Sequence, residues 1–247
     1  MKNITDNNAA DFQQESDNVF GRIAESYDRL CDLFSLGIHR LWKRKVAKTI
    51  ATEQWQNLLD TGTGTGDIVL RVLQDNKSNI QRNIVASDIS LKMLEVARSR
   101  LRSTDTCMVE LKAMNSESLA EVSSNTYDCY SMSLVLKICN RKAAMEEAYR
   151  VLRPGGLAVF LEASNIPNQF LQSAYLKYMK LCMPVIGWIA TRGDSSAYKY
   201  LLNGIRDFPS AEDLKSELQN VGFIDVTFER LSLGIVAIHK ARKPKIA

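Results

Sequence analysis

Short apolar runs alternate with helical windows through the middle of the chain. The apolar runs, which we predict to be strands, are Asn57–Thr61, Asn83–Asp88, Met108–Lys112, Tyr127–Ser133 and Gly156–Ala163. In three windows between them apolar residues recur every three or four positions, which predicts the helices Gly66–Gln74, Ser90–Arg102 and Arg141–Leu152. Strands that alternate with helices are typical of a parallel sheet with helices on both faces.

The flanking segments follow other patterns. Helical spacing over 19–53, interrupted at Ser35–Gly37, predicts an N-terminal helical cap. The stretch 167–207 contains a long window rich in Leu, Tyr and Met, Asn168–Met183, which stops before Pro184, and then a candidate helix at about Ser195–Arg206. We predict that these helices form a substrate lid or a dimer contact.

The C-terminal part predicts one more helix and a hairpin. Ser210 can cap a helix over Ala211–Val221, because a serine hydroxyl accepts a hydrogen bond from the free amides of a helix N-terminus. Two β-like runs, Asp225–Arg230 and Gly234–His239, lie close enough to form a hairpin. The polar residues 1–18 are typical of a disordered leader, so we predict a single domain over 19–247.

Composition narrows the functional classes. Hydrophobic residues make up 45% of the chain, which is enough for one large core, and a net charge of +4 without a basic run argues against nucleic acid as a partner. The five cysteines are scattered and there are only two histidines, so we expect reduced thiols and no metal site. We see no uninterrupted apolar run long enough to span a bilayer. These features favour a cytoplasmic protein, with peripheral contact to the inner face of a membrane as a further option.

The most informative segment is the glycine-rich loop after the first strand, LLDTGTGTGD (Leu58–Asp67). Glycines let the backbone turn sharply and approach a ligand, and Asp60 stands where it could pair with an ammonium group. A second strand ends about twenty residues later in Asp88, whose carboxylate suits a ribose diol. Two other interpretations also account for the glycines when these are considered without the acids, namely an ordinary turn between strand and helix and a dinucleotide-binding loop.

The loop and several other segments of the chain together resemble a known family. The loop LDTGTGTGD, SDISLKML and RVLRPGG resemble three motifs of class I S-adenosylmethionine-dependent methyltransferases. More narrowly, Val19–Arg44, Gly193–Ser210 and Leu231–Ala241 resemble the ubiquinone/menaquinone biosynthesis C-methyltransferase family. The resemblance implies a Rossmann-like α/β fold with a mostly parallel seven-stranded sheet, helices on both faces and a C-terminal antiparallel hairpin. It also implies S-adenosylmethionine as cofactor, a lipid-like prenylated quinol as substrate, and a homodimer as an option.

The resemblance also implies roles for individual residues. The expected cofactor-binding residues are Asp60, Gly62, Gly64, Thr65, Gly66, Asp88, Ile89, Asn115, Ser116 and Ser133. Among these, Asp88 holds the ribose, Asn115 and Ser116 lie beside the adenine, and Ser133 lies between cofactor and substrate. Beyond what the resemblance implies, our own hypothesis is that Tyr27, Asp28 and His39 shape the substrate mouth.

The chain departs from the family just after the fourth strand. The family carries a Phe-Gly-Leu-Arg-Asn type segment there, and its arginine is implicated in catalysis, whereas this chain reads Leu134–Ile138. Counting forward from the strand places Lys137 at the arginine position, which is the register we prefer, and counting backward from Arg150 places Leu136 there. Lysine keeps the positive charge but loses the planar fork of arginine.

We predict that Lys137 stabilises the phenolate of the substrate. Asp194, as a base, and Tyr198 are the other candidate catalytic residues. Two alternatives stay open because of the altered segment. The chain could methylate another small phenol or specialised metabolite, or it could bind the cofactor without catalysis as a partner of other proteins.

Overall fold

The computed structural model describes residues 24, 27–75, 80–191, 204–206 and 208–245. The predicted leader 1–18 lies outside the described residues, and so do residues 195–203 of the predicted helix Ser195–Arg206. Residues 204–206, at the end of that predicted helix, are helical.

Seven strands, numbered along the chain, form one sheet: β1 (Asn57–Thr61), β2 (Arg82–Asp88), β3 (Cys107–Ala113), β4 (Tyr127–Ser133), β5 (Leu152–Ala163), β6 (Ile224–Leu231) and β7 (Val236–Arg242). Their order across the sheet is β3-β2-β1-β4-β5-β7-β6. Strands β1 to β5 pair in parallel, whereas β7 pairs antiparallel with β5 and with β6. This topology confirms the predicted mostly parallel seven-stranded sheet with its C-terminal antiparallel hairpin.

The helices bounded within the described residues are α1 (Tyr27–Ser35), α2 (His39–Ala51), α3 (Asp67–Asp75), α4 (Leu91–Arg100), α5 (Arg141–Val151), α6 (Gln169–Thr191) and α7 (Ala211–Val221). The predicted break between the first two is confirmed, since Leu36 and Gly37 both have positive φ there. The predicted cap of α7 is also confirmed, because Ser210 Oγ accepts a hydrogen bond from the amide of Asp213.

Most predicted bounds differ from the structure by three residues or fewer, but two differ by more. Strand β5 begins at Leu152 rather than at Gly156, because Leu152 already pairs with Tyr127 and the Gly155 amide donates to the carbonyl of Lys243. Helix α6 does not end at Met183 but continues through Pro184 to Thr191. Proline disfavours a helix interior, but the apolar residues keep their helical spacing beyond Pro184, and the helix continues.

Helices cover both faces of the sheet and bury one hydrophobic cluster on each. On one face Val46 of α2, Ile68 of α3 and Ala97 of α4 pack over the strands. On the other face Met145 of α5 and Leu214 of α7 do so. Because successive residues of a strand point to opposite faces, the central strands contribute alternately to the two clusters.

The carboxyl ends of β1, β2 and β4 meet at one edge of the sheet. Strand β1 lies between β2 and β4, so the segments that follow these strands leave toward different sides and open a crevice, the place where open α/β sheets bind ligands. Thr61 Oγ1 and Tyr130 OH, 2.6 Å apart, join β1 to β4 near this edge.

The described residues contain neither a membrane-spanning helix nor a metal-binding cluster. No helix among them combines the length and the apolar composition needed to cross a bilayer. No group of His, Cys, Asp and Glu side chains among them is placed to hold a metal ion.

Candidate active site

A cavity of about 500 Å³ opens at the carboxyl ends of the central strands. Its carboxylates come from the strand ends and the start of α3, namely Asp60, Asp88 and Asp67. Much of the remaining wall is apolar and comes from α1, α2, α6, the segment after β4 and the turn before β7. The apolar wall includes Phe34, Leu36, Trp42, Leu134, Val135, Ile138, Met179 and Ile235. This combination suits a ligand assembly with both charged and apolar parts.

The glycine-rich loop forms the floor of the cavity, and two of its glycines leave no room for a larger residue. Gly62 has φ +61°, and a Cβ there would lie 2.5 Å from Val135 Cγ2. Gly66 has φ +79°, and its Cβ would lie 2.8 Å from Leu101 Cδ1. Gly62 therefore keeps the backbone close to the cavity, whereas Gly66 lets α3 pack against the end of α4.

Asp60 is a buried carboxylate with one oxygen unsatisfied. Only 1% of the residue is exposed, Ser131 Oγ donates to Oδ1 at 2.5 Å, and Oδ2 has no hydrogen bond of ordinary geometry among the described residues. Burial raises the pKa of Asp60 from its usual 3.8 to about 6. A buried carboxylate oxygen in the wall of a cavity is well placed to bind a cationic group such as an ammonium.

Asp88 lies at the end of β2 and connects the strand to the loop. Its Oδ2 accepts the amide of Gly64 at 2.8 Å, and its Oδ1 accepts the amide of Ser90 at 2.9 Å. A carboxylate oxygen can accept more than one hydrogen bond, so these two amide bonds do not prevent Asp88 from binding a pair of hydroxyl groups.

Charged side chains tie the N-terminal cap to the loop. Asp28 accepts a hydrogen bond from Thr65 Oγ1 at 2.8 Å and another from Arg100 Nη1 at 2.6 Å. Lys43 of α2 pairs with Asp67 at 3.1 Å. The sequence prediction placed Asp28 beside a substrate, but the structure places it against the loop. The sequence prediction did not include Arg100 and Lys43, because nothing in their local sequence reveals partners so distant along the chain.

Lys137 lines the cavity from a short 3₁₀ turn, Leu136–Ile138, whereas Leu136 is buried in the core. Its ammonium group lies 3.1 Å from Glu162 Oε1 and also donates to the carbonyl of Leu134. Glu162 is 1% exposed and its other oxygen accepts the Lys137 amide. The sequence prediction did not identify Glu162 as this partner.

The structure gathers most of the predicted site residues around this cavity. The predicted cofactor residues that line it are Asp60, Gly62, Gly64, Thr65, Asp88, Ile89, Asn115, Ser116 and Ser133. Tyr27, His39 and Lys137 line it as well, whereas Gly66 and Asp28 do not. Asp194 and Tyr198 lie outside the described residues.

Comparison with known proteins identifies one family. The model of the "ubiE/COQ5 methyltransferase family" matches residues 8–243. A Caenorhabditis elegans protein named "2-methoxy-6-polyprenyl-1,4-benzoquinol methylase, mitochondrial" is 34% identical over 98% of this chain and 84% of its own length. A Cereibacter sphaeroides protein named "Ubiquinone/menaquinone biosynthesis C-methyltransferase UbiE" is 37% identical over 91% of this chain and 89% of its own length.

Solved structures are similar in fold at low sequence identity. A SAM-dependent methyltransferase from Thermotoga maritima has a TM-score of 0.62 at 18% identity, covering 92% of this chain and 99% of its own. The [4+2]-cyclase SpnF has a TM-score of 0.59 at 21% identity, covering 84% of this chain and 82% of its own. The second structure carries a different activity on the same fold, so the fold alone does not define the reaction.

The raised pKa of Asp60 makes a prediction about stability. The folded state favours the protonated carboxyl, so the stabilisation is complete below about pH 4 and is lost as the pH rises through about 6. Asp60→Asn, which mimics the neutral form, should raise the free energy of unfolding of the ligand-free protein by about 1–2 kcal/mol at pH 8 and by much less at pH 4. Urea unfolding at the two pH values measures this.

Asp128→Asn is the matched control for this prediction. Burial alone would raise the pKa of Asp128. Its pKa is nevertheless lowered overall, because the carboxylate accepts hydrogen bonds from the amides of Asn57 and Gln56 and pairs with Arg153. That substitution should therefore destabilise the protein at pH 8. If Asp60→Asn also destabilises it there, our account of the buried carboxylate is wrong.

Proposed function

The chain belongs to the ubiE/COQ5 methyltransferase family, and we propose that it methylates a ring carbon of a prenylated quinol. It is an S-adenosylmethionine-dependent methyltransferase. The observation that carries the proposal is the cavity itself, which is lined both by carboxylates at the strand ends, the buried Asp60 and the half-buried Asp88, and by apolar side chains of the N-terminal cap and α6.

The cofactor fits the polar part of the cavity. The unsatisfied oxygen of Asp60 would pair with the ammonium group of its amino-acid part, and Asp88 would accept hydrogen bonds from its ribose hydroxyls. Asn115 and Ser116, which also line the cavity, would lie beside the adenine. When bound, S-adenosylmethionine supplies a methyl group on a positively charged sulfur.

The apolar wall would hold the ring and tail of the quinol, and Lys137 would stabilise the ring oxygen as it becomes negative. An ammonium group has three N–H donors. Two of them are used, at Glu162 and Leu134, which leaves one for a ligand oxygen in the cavity. A fixed donor in a site that excludes water stabilises a developing oxyanion strongly.

We also propose that the mouth of the cavity rests on the cytoplasmic face of a bilayer. Leu36, which lines the cavity, is 77% exposed, and Leu233, beside the cavity-lining Ser232, is 75% exposed. Both have positive φ, at 50° and 62°, a conformation that is costly for leucine. Two strained leucines held in water at the mouth of an apolar cavity suit insertion into lipid, where a prenylated substrate resides.

The central test is methyl transfer from labelled S-adenosylmethionine to prenylated benzoquinol and naphthoquinol acceptors. We expect transfer to a ring carbon. We also expect that Asp88→Ala weakens binding of S-adenosylhomocysteine about 10-fold or more in titration calorimetry, since a charged hydrogen-bond acceptor is lost. Asp105→Ala, which removes an exposed aspartate outside the cavity, serves as the matched control.

The same assay separates the alternatives. Transfer to simple phenols but not to prenylated quinols would favour a methyltransferase of another small metabolite. Tight cofactor binding without transfer to any acceptor would favour a partner protein that has lost catalysis. Either result would refute the proposed function.

Lys137 can be tested without leaving a buried carboxylate unpaired. We expect the double variant Lys137→Met, Glu162→Gln to fold and to bind the cofactor normally, but to lower kcat by about 100-fold because the oxyanion donor is lost. Glu162→Gln alone, which keeps the lysine, is the control and should retain most of the activity. A double variant with a kcat within about threefold of that control would rule out the role of Lys137.

If the mouth of the cavity contacts a membrane, replacing its two exposed leucines should weaken binding to vesicles. Leu36→Ser with Leu233→Ser should weaken cosedimentation with anionic phospholipid vesicles at least about 10-fold, since each buried leucine contributes about 2 kcal/mol. Leu91→Ser with Met108→Ser removes two other exposed apolar residues, 60% and 59% exposed, that do not line the cavity, and should not weaken vesicle binding. Equal vesicle binding by the two double variants would show that the mouth does not contact lipid. A concentration-dependent dimer that only the Leu36→Ser, Leu233→Ser variant loses would favour a homodimer contact at the mouth instead.

A further inference from the structure

The imidazole of His39 lies in the wall of the cavity. The residue is the first of α2, and only 4% of it is exposed. Its Nδ1 lies 2.7 Å from Ser35 Oγ. Among the described residues its Nε2 has no hydrogen-bond partner, and Nε2 is not one of the polar atoms that are fully buried without one. Nε2 is therefore accessible from the cavity that the ring lines.

The hydrogen bonds of Ser35 determine the tautomer of His39. The Ser35 hydroxyl donates its single proton to the carbonyl of Cys31 at 2.7 Å, since a carbonyl can only accept. Toward His39 the same oxygen must therefore accept, from the backbone amide at 3.3 Å and from Nδ1–H. Asp32 Oδ1, 3.8 Å from Nδ1, favours a proton on the same nitrogen. The neutral ring consequently carries its lone pair on Nε2.

The surroundings keep this ring neutral near pH 7. Burial lowers the pKa of His39 from its usual 6.5, and Lys43 and Arg40 on its own helix lower it further. Asp32 from α1 and Asp67 from α3 oppose them without reversing the direction. A neutral imidazole with a free lone pair is a competent proton acceptor.

Other groups in the wall are less suited to accept a proton. The pKa of Tyr27 is raised by Cys31 and by burial, so its phenol stays protonated. Burial raises the pKa of the Cys139 thiol to about 12. Lys137 acts as a donor to Glu162, and Asp67 is paired with Lys43.

We propose that His39 Nε2 is the general base that removes the proton from the ring hydroxyl of the quinol, an inference that rests on the proposed function. Ser35 is its positioning residue, because it holds the proton on Nδ1. The sequence prediction gave His39 only a place beside the substrate and gave the base to Asp194, which the described residues do not include.

The protons and electrons of this step balance. The hydroxyl proton passes to Nε2, and the adjacent ring carbon forms a bond to the methyl group. The bond between methyl and sulfur breaks, and its electron pair stays on the sulfur, which becomes neutral. The ring carbon then loses its hydrogen to water as a proton, while the imidazolium returns its proton to the ring oxygen. One proton is released per methyl group, and His39 ends neutral.

The test is the pH dependence of kcat with a prenylated quinol. For the wild-type enzyme, kcat should fall as the pH drops below the lowered pKa of His39. We expect His39→Asn to lower kcat by about 10²–10⁴-fold, to remove this acid limb and to leave binding of S-adenosylhomocysteine unchanged. Added imidazole should restore part of the activity of His39→Ala, a rescue that a purely structural role would not give.

Two further variants separate the role of His39 from that of the other histidine and from that of Ser35. His239→Gln removes the other histidine of the chain, which lies outside the cavity, and should retain the acid limb. Ser35→Ala should lower kcat less than His39→Asn while leaving KM nearly unchanged. The proposal is overturned if His39→Asn keeps its activity within about threefold, or if Asp194→Asn removes the acid limb while His39→Asn retains it. If the wild-type enzyme itself transfers no methyl group to a quinol, the proposed function fails, and this inference fails with it.

Discussion

Asp60 is the side chain on which the arrangement of the cavity depends. It is buried near the end of the central strand β1, where Ser131 donates to one oxygen and the other has no hydrogen bond of ordinary geometry within the described residues. Parallel pairing brings the ends of β2 and β4 to the same edge, so that Asp88 and Ser133 face the space that Asp60 faces. A cationic ligand group would relieve the cost of this burial. Ligand binding and folding stability are thus linked through one carboxylate.

The sheet could be predicted from the sequence because its signals are local. The strands β1 and β4 have the predicted bounds, and Ser210 caps its helix as predicted. The pattern of alternating glycines after a strand that ends in an acid also located the floor of the cavity. Each of these signals spans only a few residues, over which backbone conformation and burial are nearly fixed by residue type.

The contacts that orient side chains could not be predicted in this way. Lys137 binds Glu162, and Asp28 binds Arg100 far along the chain, so no local pattern reveals either pair. The tautomer of His39 depends on where a single serine proton is donated. The continuation of α6 through Pro184 was missed because the local preference of proline for helix ends was outweighed by the apolar spacing beyond it.

The hydrogen bond from Trp42 Nε1 to Ser232 Oγ, 2.8 Å long, joins two segments that lie 190 residues apart in the sequence. The cavity wall needs both of them, α2 and the turn before β7. During synthesis on the ribosome, the parallel strands β1 to β5 emerge before that turn, so they can pair before this wall can close. The wall is thus completed only after the sheet that supports it, and a chain cut before the turn would leave the cavity open to water.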